Sequence, residues 1–223
     1  MSVIKTIYLA LVLIAFLTSL VSFRTGLPSH LKLFAWLLGL TFIVELYCRY
    51  FLRVFHVTNT MVIYGPFNLV EFWVYGYFYY QLIEVKILRR IIFLFLWIFP
   101  IFWLATVVFL FQLRQWNTYV TVVGSFFSIL FALMYYYQVI MAKEIQSIRH
   151  LPEFWIATGM LIFYLWELPY SGTLNFFLDY YRAHRTVSRG LLTVRLILDT
   201  LMYALFSYGY LCRIINTRKY SSF

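Results

Sequence analysis

The sequence predicts an all-α integral membrane protein, a seven-transmembrane-helix bundle with its N-terminus outside and its C-terminus in the cytoplasm. Three observations lead there. Of 223 residues, 64% are hydrophobic and only 12% charged, against about half and about a quarter in an ordinary soluble domain. A soluble core of this length cannot hide so much apolar surface, so lipid must solvate most of the chain. The apolar residues also fall into seven runs, each close to the roughly 20 residues a helix needs to cross the hydrocarbon. The connections, near 24–32, 52–58, 83–90, 112–118, 142–153 and 178–190, are short and leave nothing for a soluble, nucleotide-binding or DNA-binding domain.

The first run, 6–23, follows Lys5 and ends near small residues, as a signal peptide would. Its length and the lack of an A-x-A cleavage site favour a retained span. The second, 33–51, places Glu45 and Arg49 one turn apart. In the third, 59–82, Tyr64, Asn68, Glu71, Tyr75 and Tyr79 fall within an arc of about 80°, while Leu69, Val70, Trp73 and Tyr80 face the other way. The fourth, 91–111, contains IIFLFLWIF, which lacks the alternation of an outer-membrane barrel strand.

The fifth run, 119–141, offers Ser125, Ser128 and Ala132 as a seam for close helix packing, and YYYQ at 135–138 suits the interfacial belt. The sixth, 154–177, carries WELPYSG at 166–172. Pro169 cannot donate to the carbonyl of Leu165. A kink there would open backbone carbonyls beside Glu167 and leave room for water or a small ligand; a kink healed by neighbouring hydroxyls is the plainer alternative. Pro66 and Pro100 belong to that plainer class. In the seventh run, 191–214, Arg195, Asp199 and Tyr203 recur every four residues, so the first two are expected to form a salt bridge.

Orientation follows the basic residues near span ends. One side collects Lys5, Arg49, Arg53, Arg114, Arg182, Arg185 and Arg189. The richer side, expected to be cytoplasmic, collects Arg24, Lys32, Lys86, Arg89, Arg90, Lys143, Arg149, Arg213, Arg218 and Lys219. The net charge of +10 is spread over loops on both sides, which fits anionic lipid headgroups and not nucleic acid. KILRR at 86–90 (Lys86, Arg89, Arg90) and the C-terminal RIINTRKY (Arg218, Lys219) are read as contacts for lipid headgroups or, more sharply, for a cytoplasmic signalling protein.

Cys48 and Cys212 end an even and an odd span, hence on opposite faces, so no disulfide joins them and both are read as packing residues. His30, His56, His150 and His184 sit in or beside loops with no metal-binding spacing, and are read as surface histidines.

Five ionisable residues lie inside predicted spans: Glu45, Glu71, Glu167, Arg195 and Asp199. Unpaired at mid-bilayer, five such groups would cost about 12–17 kcal/mol, as much as the whole stability of a typical fold. They must be paired, protonated or in contact with water, and none can face lipid. Counted from the span ends, the four carboxyls fall between about 9 and 18 Å below the outer surface. Four helices thus bring acids to similar depth, forming a candidate ligand-binding or proton-linked pocket with Tyr64, Asn68, Tyr75 and Tyr203. Asn68, one turn from Glu71, is expected to donate its amide to that carboxyl. Two arginines face four acids, so charge balance requires outside cations or a proton on at least one carboxyl. Glu71 and Glu167, without a charged partner in their own helices, are the expected centre.

No catalytic residue, metal site or cofactor is indicated. A retinal Schiff base needs a lysine within the seventh span, and Lys5, Lys32, Lys86, Lys143 and Lys219 all lie in loops or tails. No span supplies a zinc-ligand set, and neither G-x-S-x-G nor H-E-x-x-H occurs.

VEL at 44–46, NLVEF at 68–72, FWIATGMLIFY at 154–164 and LMYALFSYGY at 201–210 resemble pieces of small standalone seven-helix proteins of Bacteroidota-type bacteria. That resemblance implies the fold, a bacterial inner-membrane location and attention to Glu45 and Glu71, but no activity. The layout is also similar to the seven-helix sensory input regions of bacterial histidine kinases, although no kinase is attached here. Three functions follow as expectations. The first is a receptor or sensor that reads a small ligand, lipid headgroup or proton and signals through a separate cytoplasmic protein. The second is a small transporter or oligomeric channel using the carboxyls for protons or cations. The third is a lipid-modifying membrane enzyme with paired carboxyls as acid and base.

Overall fold

The computed structural model describes residues 2–51, 59–111, 117–141, 151–174 and 185–220. These form seven α-helices and no strand among the described residues. Helix α1 is Ser2–Ser22, with a tight turn at Phe23–Thr25, and α2 is Ser29–Leu46, widening into a π-type turn at Tyr47–Phe51. Next come α3 (Met61–Leu82) and α4 (Lys86–Thr106), the latter also widening at Val107–Phe111. The last three are α5 (Thr118–Met141), α6 (Pro152–Leu174) and α7 (Arg185–Tyr220).

Local chemistry sets several of the ends. Gly26, at φ 68°, adopts the left-handed conformation that closes the turn after α1. Asn117 caps α5 by accepting from the amide of Val120 at 3.2 Å, and its own amide reaches the Thr106 hydroxyl of α4 at 2.7 Å. The short α3–α4 turn is clamped by Gln138 of α5, which donates to the Leu82 carbonyl at 3.0 Å and accepts from the Glu84 amide at 2.8 Å.

Five helices, α1, α2, α4, α5 and α7, are long and apolar enough to cross a membrane, as in a multi-pass membrane protein. Helices α3 and α6 match them in length, at about 33–35 Å for a rise of 1.5 Å per residue. They are less apolar, because α3 carries Tyr64, Asn68, Glu71 and four further tyrosines, and α6 carries Glu153, Glu167 and Pro169.

Six helices close a ring in the order α1, α2, α3, α5, α6, α7 and back to α1; α4 packs outside it, against α3 and α5. Outward residues of α4 such as Trp97, Ile101, Leu104 and Phe109 are exposed and apolar, as a lipid-facing surface requires. Close approach relies on small residues. A Cβ on Gly209 would lie 2.9 Å from the Pro152 carbonyl oxygen, and one on Gly159 3.2 Å from that of Met202, so α6 and α7 are nearly in backbone contact. Gly124 of α5 makes way for the ring of Phe72, which a Cβ would meet at 2.5 Å. Ser125, Ser128 and Ala132 are buried beside it, as their spacing predicts.

The end where α1, α3, α5 and α7 begin is taken as the upper end. At the lower end, Tyr210 of α7 donates to the Leu31 carbonyl of α2 at 2.9 Å. His30 of α2 meets Glu153 of α6 at 3.2 Å and packs edge-on against Phe78. His30 is therefore a partly buried interhelical contact and not the surface histidine its loop position suggested. His56, His150, His184, Arg53, Arg114, Lys143, Arg149 and Arg182 lie outside the described residues.

Cys48 and Cys212 are free and buried. Helix α6 is assigned as helix through Pro169 to Leu174. Above it, the Thr173 hydroxyl donates to the Pro169 carbonyl at 2.8 Å.

Candidate functional site

In the upper half of the ring a cavity of about 70 Å³ opens among the helices. At about 10–15 Å³ per water centre, that is room for roughly five waters. Tyr8 of α1, Glu45 of α2, Asn68 and Glu71 of α3, Thr121 of α5, Glu167 of α6 and Asp199 of α7 all line it. Every ring helix contributes to the wall, and α4, the outer helix, contributes nothing. The four acids expected at one depth thus meet in one space. A second hollow of about 150 Å³ lies between α1 and α7, lined by Lys5, Leu192, Leu196, Arg195 and Asp199. Arg195 and Asp199 belong to both, so they stand where the two spaces adjoin.

The periodicity of α3 explains its share. Tyr64, Asn68 and Glu71 point into the cavity from successive turns. Tyr75, one turn lower, is buried and donates its hydroxyl to Glu71 Oε1 at 2.8 Å. Tyr79, on the same stripe, lies deeper: its hydroxyl meets Met160 Sδ at 3.4 Å, away from the cavity. Asn68 was expected to be the donor to Glu71. That bond is absent among the described residues, and the one side-chain hydrogen bond to Glu71 there comes from Tyr75. The Asn68 side chain instead faces the cavity with no hydrogen-bond partner among the described residues, in a residue only 8% exposed.

The remaining carboxyls divide sharply by partner. Glu45 accepts from Arg49 Nε at 2.9 Å and from the Tyr64 hydroxyl at 3.3 Å. Arg49 also donates to the Lys5 carbonyl at 2.9 Å and lies 4.9 Å above the Tyr8 ring, which ties α2 to α1. Glu167, 1% exposed, accepts from Arg195 Nε at 2.7 Å and from the Ser171 hydroxyl at 2.7 Å.

The spacing on α7 predicted an Arg195–Asp199 pair. The guanidinium turns across to α6, where Glu167 offers a more buried carboxylate backed by a hydroxyl. Asp199 is left near that charge with no ion pair or hydrogen bond among the described residues. Glu71, one of the two acids expected at the centre, and Asp199 are the cavity carboxyls with no ion pair among the described residues, whereas Glu167, the other, is paired.

The floor of the cavity is aromatic. Phe34 of α2 touches Tyr75 and Phe78 of α3 and Phe206 of α7, with ring centroids 5.1–5.8 Å apart. Tyr203, just above, packs edge-on against both Tyr8 and Phe206. Phe72 and Tyr164 form a side wall, 5.6 Å apart. The polar space is thereby closed from below by packed rings.

Tyr8, Thr121 and Ser171 take part without having been singled out by sequence. Ser171 was findable, since it stands four residues after Glu167, the spacing that linked Glu45 to Arg49. Tyr8 carried no signal, being one aromatic in an apolar run. No group of three His, Cys, Asp or Glu side chains among the described residues is disposed to hold a metal ion. Of the basic clusters, Lys86, Arg89 and Arg90 are exposed at the lower end, with the Arg89 guanidinium 4.3 Å above the Tyr80 ring. The side chains of Arg218 and Lys219 lie outside the described part. No family model, curated protein or solved structure matches the chain.

Proposed function

We propose that the chain is a receptor-like membrane protein of seven spans, which admits a small ligand to its cavity from the outer side and signals through a separate cytoplasmic partner. The observation that carries the proposal is a polar cavity walled by all six ring helices and closed below by Phe34, Tyr75, Phe78 and Phe206. A ligand there touches every ring helix at once, so its binding energy acts on their relative positions. In this orientation the upper end is outer, α3 and α6 are spans because their length suffices, and Lys86, Arg89 and Arg90 face the cytoplasm. A bacterial inner membrane is the location this reading implies, and the resemblance to seven-helix sensory input regions agrees with it.

Thiol labelling tests the pocket. In a Cys48→Ser, Cys212→Ser background, Asn68→Cys should react with a small charged methanethiosulfonate added outside. It should react faster than Ile98→Cys, whose position on α4 is exposed to lipid. Equal or slower labelling would show that water does not reach the cavity and would remove the reading. The signalling half predicts that an amine-directed crosslinker acting at Lys86 in native membranes recovers a distinct protein, and that Lys86→Gln, Arg89→Gln, Arg90→Gln together abolish the adduct. Recovery of no partner would refute that half.

Proton or cation transport is a second reading, favoured by one observation, that Glu71 and Asp199 have no ion pair among the described residues. The aromatic floor interrupts a path across the bundle. Flux in liposomes that vanishes in Glu71→Gln would establish transport in place of reception.

A further inference from the structure

Resting on the reading of the cavity as a ligand pocket, we propose that it takes a small organic ammonium, held between the carboxylates of Glu71 and Asp199 and the carboxamide of Asn68. Four features of the site converge on that chemistry.

The first is charge. Glu45–Arg49 and Glu167–Arg195 are closed pairs, each with an added hydroxyl, at 2.9 and 2.7 Å. Glu71 receives only the neutral hydroxyl of Tyr75, and Asp199 has no donor among the described residues. Arg195, the nearby cation, is engaged by Glu167, so Glu71 and Asp199 are the two cavity acids with no ion pair of their own among the described residues.

Asn68 is the second and independent sign. A carboxamide in a residue 8% exposed, open to a cavity and without a partner, leaves donors and an acceptor unmet. Its oxygen can accept one N–H of an ammonium whose others go to the carboxylates.

The third is the wall. Tyr8, Phe72 and Tyr203 present rings around the acids, and aromatic faces attract alkylammonium groups while packing their carbon. The fourth is size and geometry. Room for roughly five waters suits a primary amine of about as many heavy atoms. The carboxyls, split between helices and without a convergent ligand set, do not form a cage for a bare metal ion.

The test uses the full chain in lipid nanodiscs. Isothermal calorimetry and thermal unfolding are measured with propylammonium and butylammonium chloride. Sodium and calcium chloride, choline chloride and the neutral isostere propanol serve as comparisons at constant ionic strength. The expected result is saturable binding of the short primary ammonium ions, with a matching rise in unfolding temperature. Glu71→Gln and Asp199→Asn should each weaken it by roughly tenfold or more, the worth of one charge-assisted hydrogen bond, with the ligand-free fold intact. Asn68→Leu should also weaken it, and Lys32→Gln, exposed at the lower end of α2, should leave it unchanged.

Binding of sodium, calcium or propanol with the same variant sensitivity, in place of the amines, would overturn the ammonium and leave the pocket standing. Absence of binding by the whole panel would also overturn it; the labelling of Asn68→Cys then separately decides the pocket. Amine binding untouched by the Glu71 and Asp199 variants would place it elsewhere and refute the assignment.

Discussion

Replacing Arg195 with Met is expected to destabilise the protein by about 3–5 kcal/mol, the usual loss when one partner of a buried ion pair is removed. Glu167 is 1% exposed and its carboxylate is matched by this guanidinium at 2.7 Å. Without it, Ser171 alone still donates to Glu167, and Glu71 and Asp199 share the same cavity. Three of the four cavity carboxyls would then be without an ion pair.

The reverse substitution, Glu167→Gln, should cost less. Arg195 keeps a side chain 31% exposed, and Asp199 waits one turn away on its own helix. Pairing Arg195→Met with Glu167→Met should recover most of the loss, because an apolar pair of similar volume removes both charges together. Reversible unfolding in lipid measures all three. A loss below about 1 kcal/mol in Arg195→Met would show the pair to be solvated like a surface bridge.

The second large effect is expected from Gly124→Ala, at about 1–3 kcal/mol, the range for forcing an extra carbon into a packed core. The new Cβ would lie 2.5–2.6 Å from three atoms of the Phe72 ring. That ring cannot step aside freely, since Phe99, Tyr164 and Tyr75 surround it with centroids 5.6–6.3 Å away. It must swing into the cavity or push α5 away from α3. Phe72→Leu in the same chain should restore stability by vacating the space. Thermal unfolding of the single and double variants checks this; an unaltered midpoint in Gly124→Ala would mean that the wall yields without cost.

The helices were legible because apolar runs mark where chain meets lipid, and most ends agree within a few residues. The largest difference is α7, which runs from Arg185 to Tyr220 against an expected 191–214. Apolarity reports the lipid boundary and not the helix boundary, so the polar RTVSRG and NTRKY turns were invisible as helix. The acids of four helices were legible as a group because burying charge is costly wherever it happens. Their pairing was only half legible. Spacing found Glu45–Arg49, which lies within one helix, but Arg195 reaches Glu167 across two helices, and no local repeat encodes that choice. Nor could the sequence place α4 outside the ring, because a helix apolar on every side looks alike whether its neighbours are lipid or protein.

Helices α3 and α6 are the two that fall short of the apolarity reached by the other five, and they are the two that bring Glu71 and Glu167 to the cavity. A helix of that composition is at home in lipid only when neighbours cover its polar side. Its entry into the bilayer during synthesis is therefore an assembly step, completed with α2 and α5 for α3, and with α5 and α7 for α6. Damage to the cavity wall should then surface first as protein cleared by cellular quality control, and abundance has to be measured before any loss of response is attributed to the pocket.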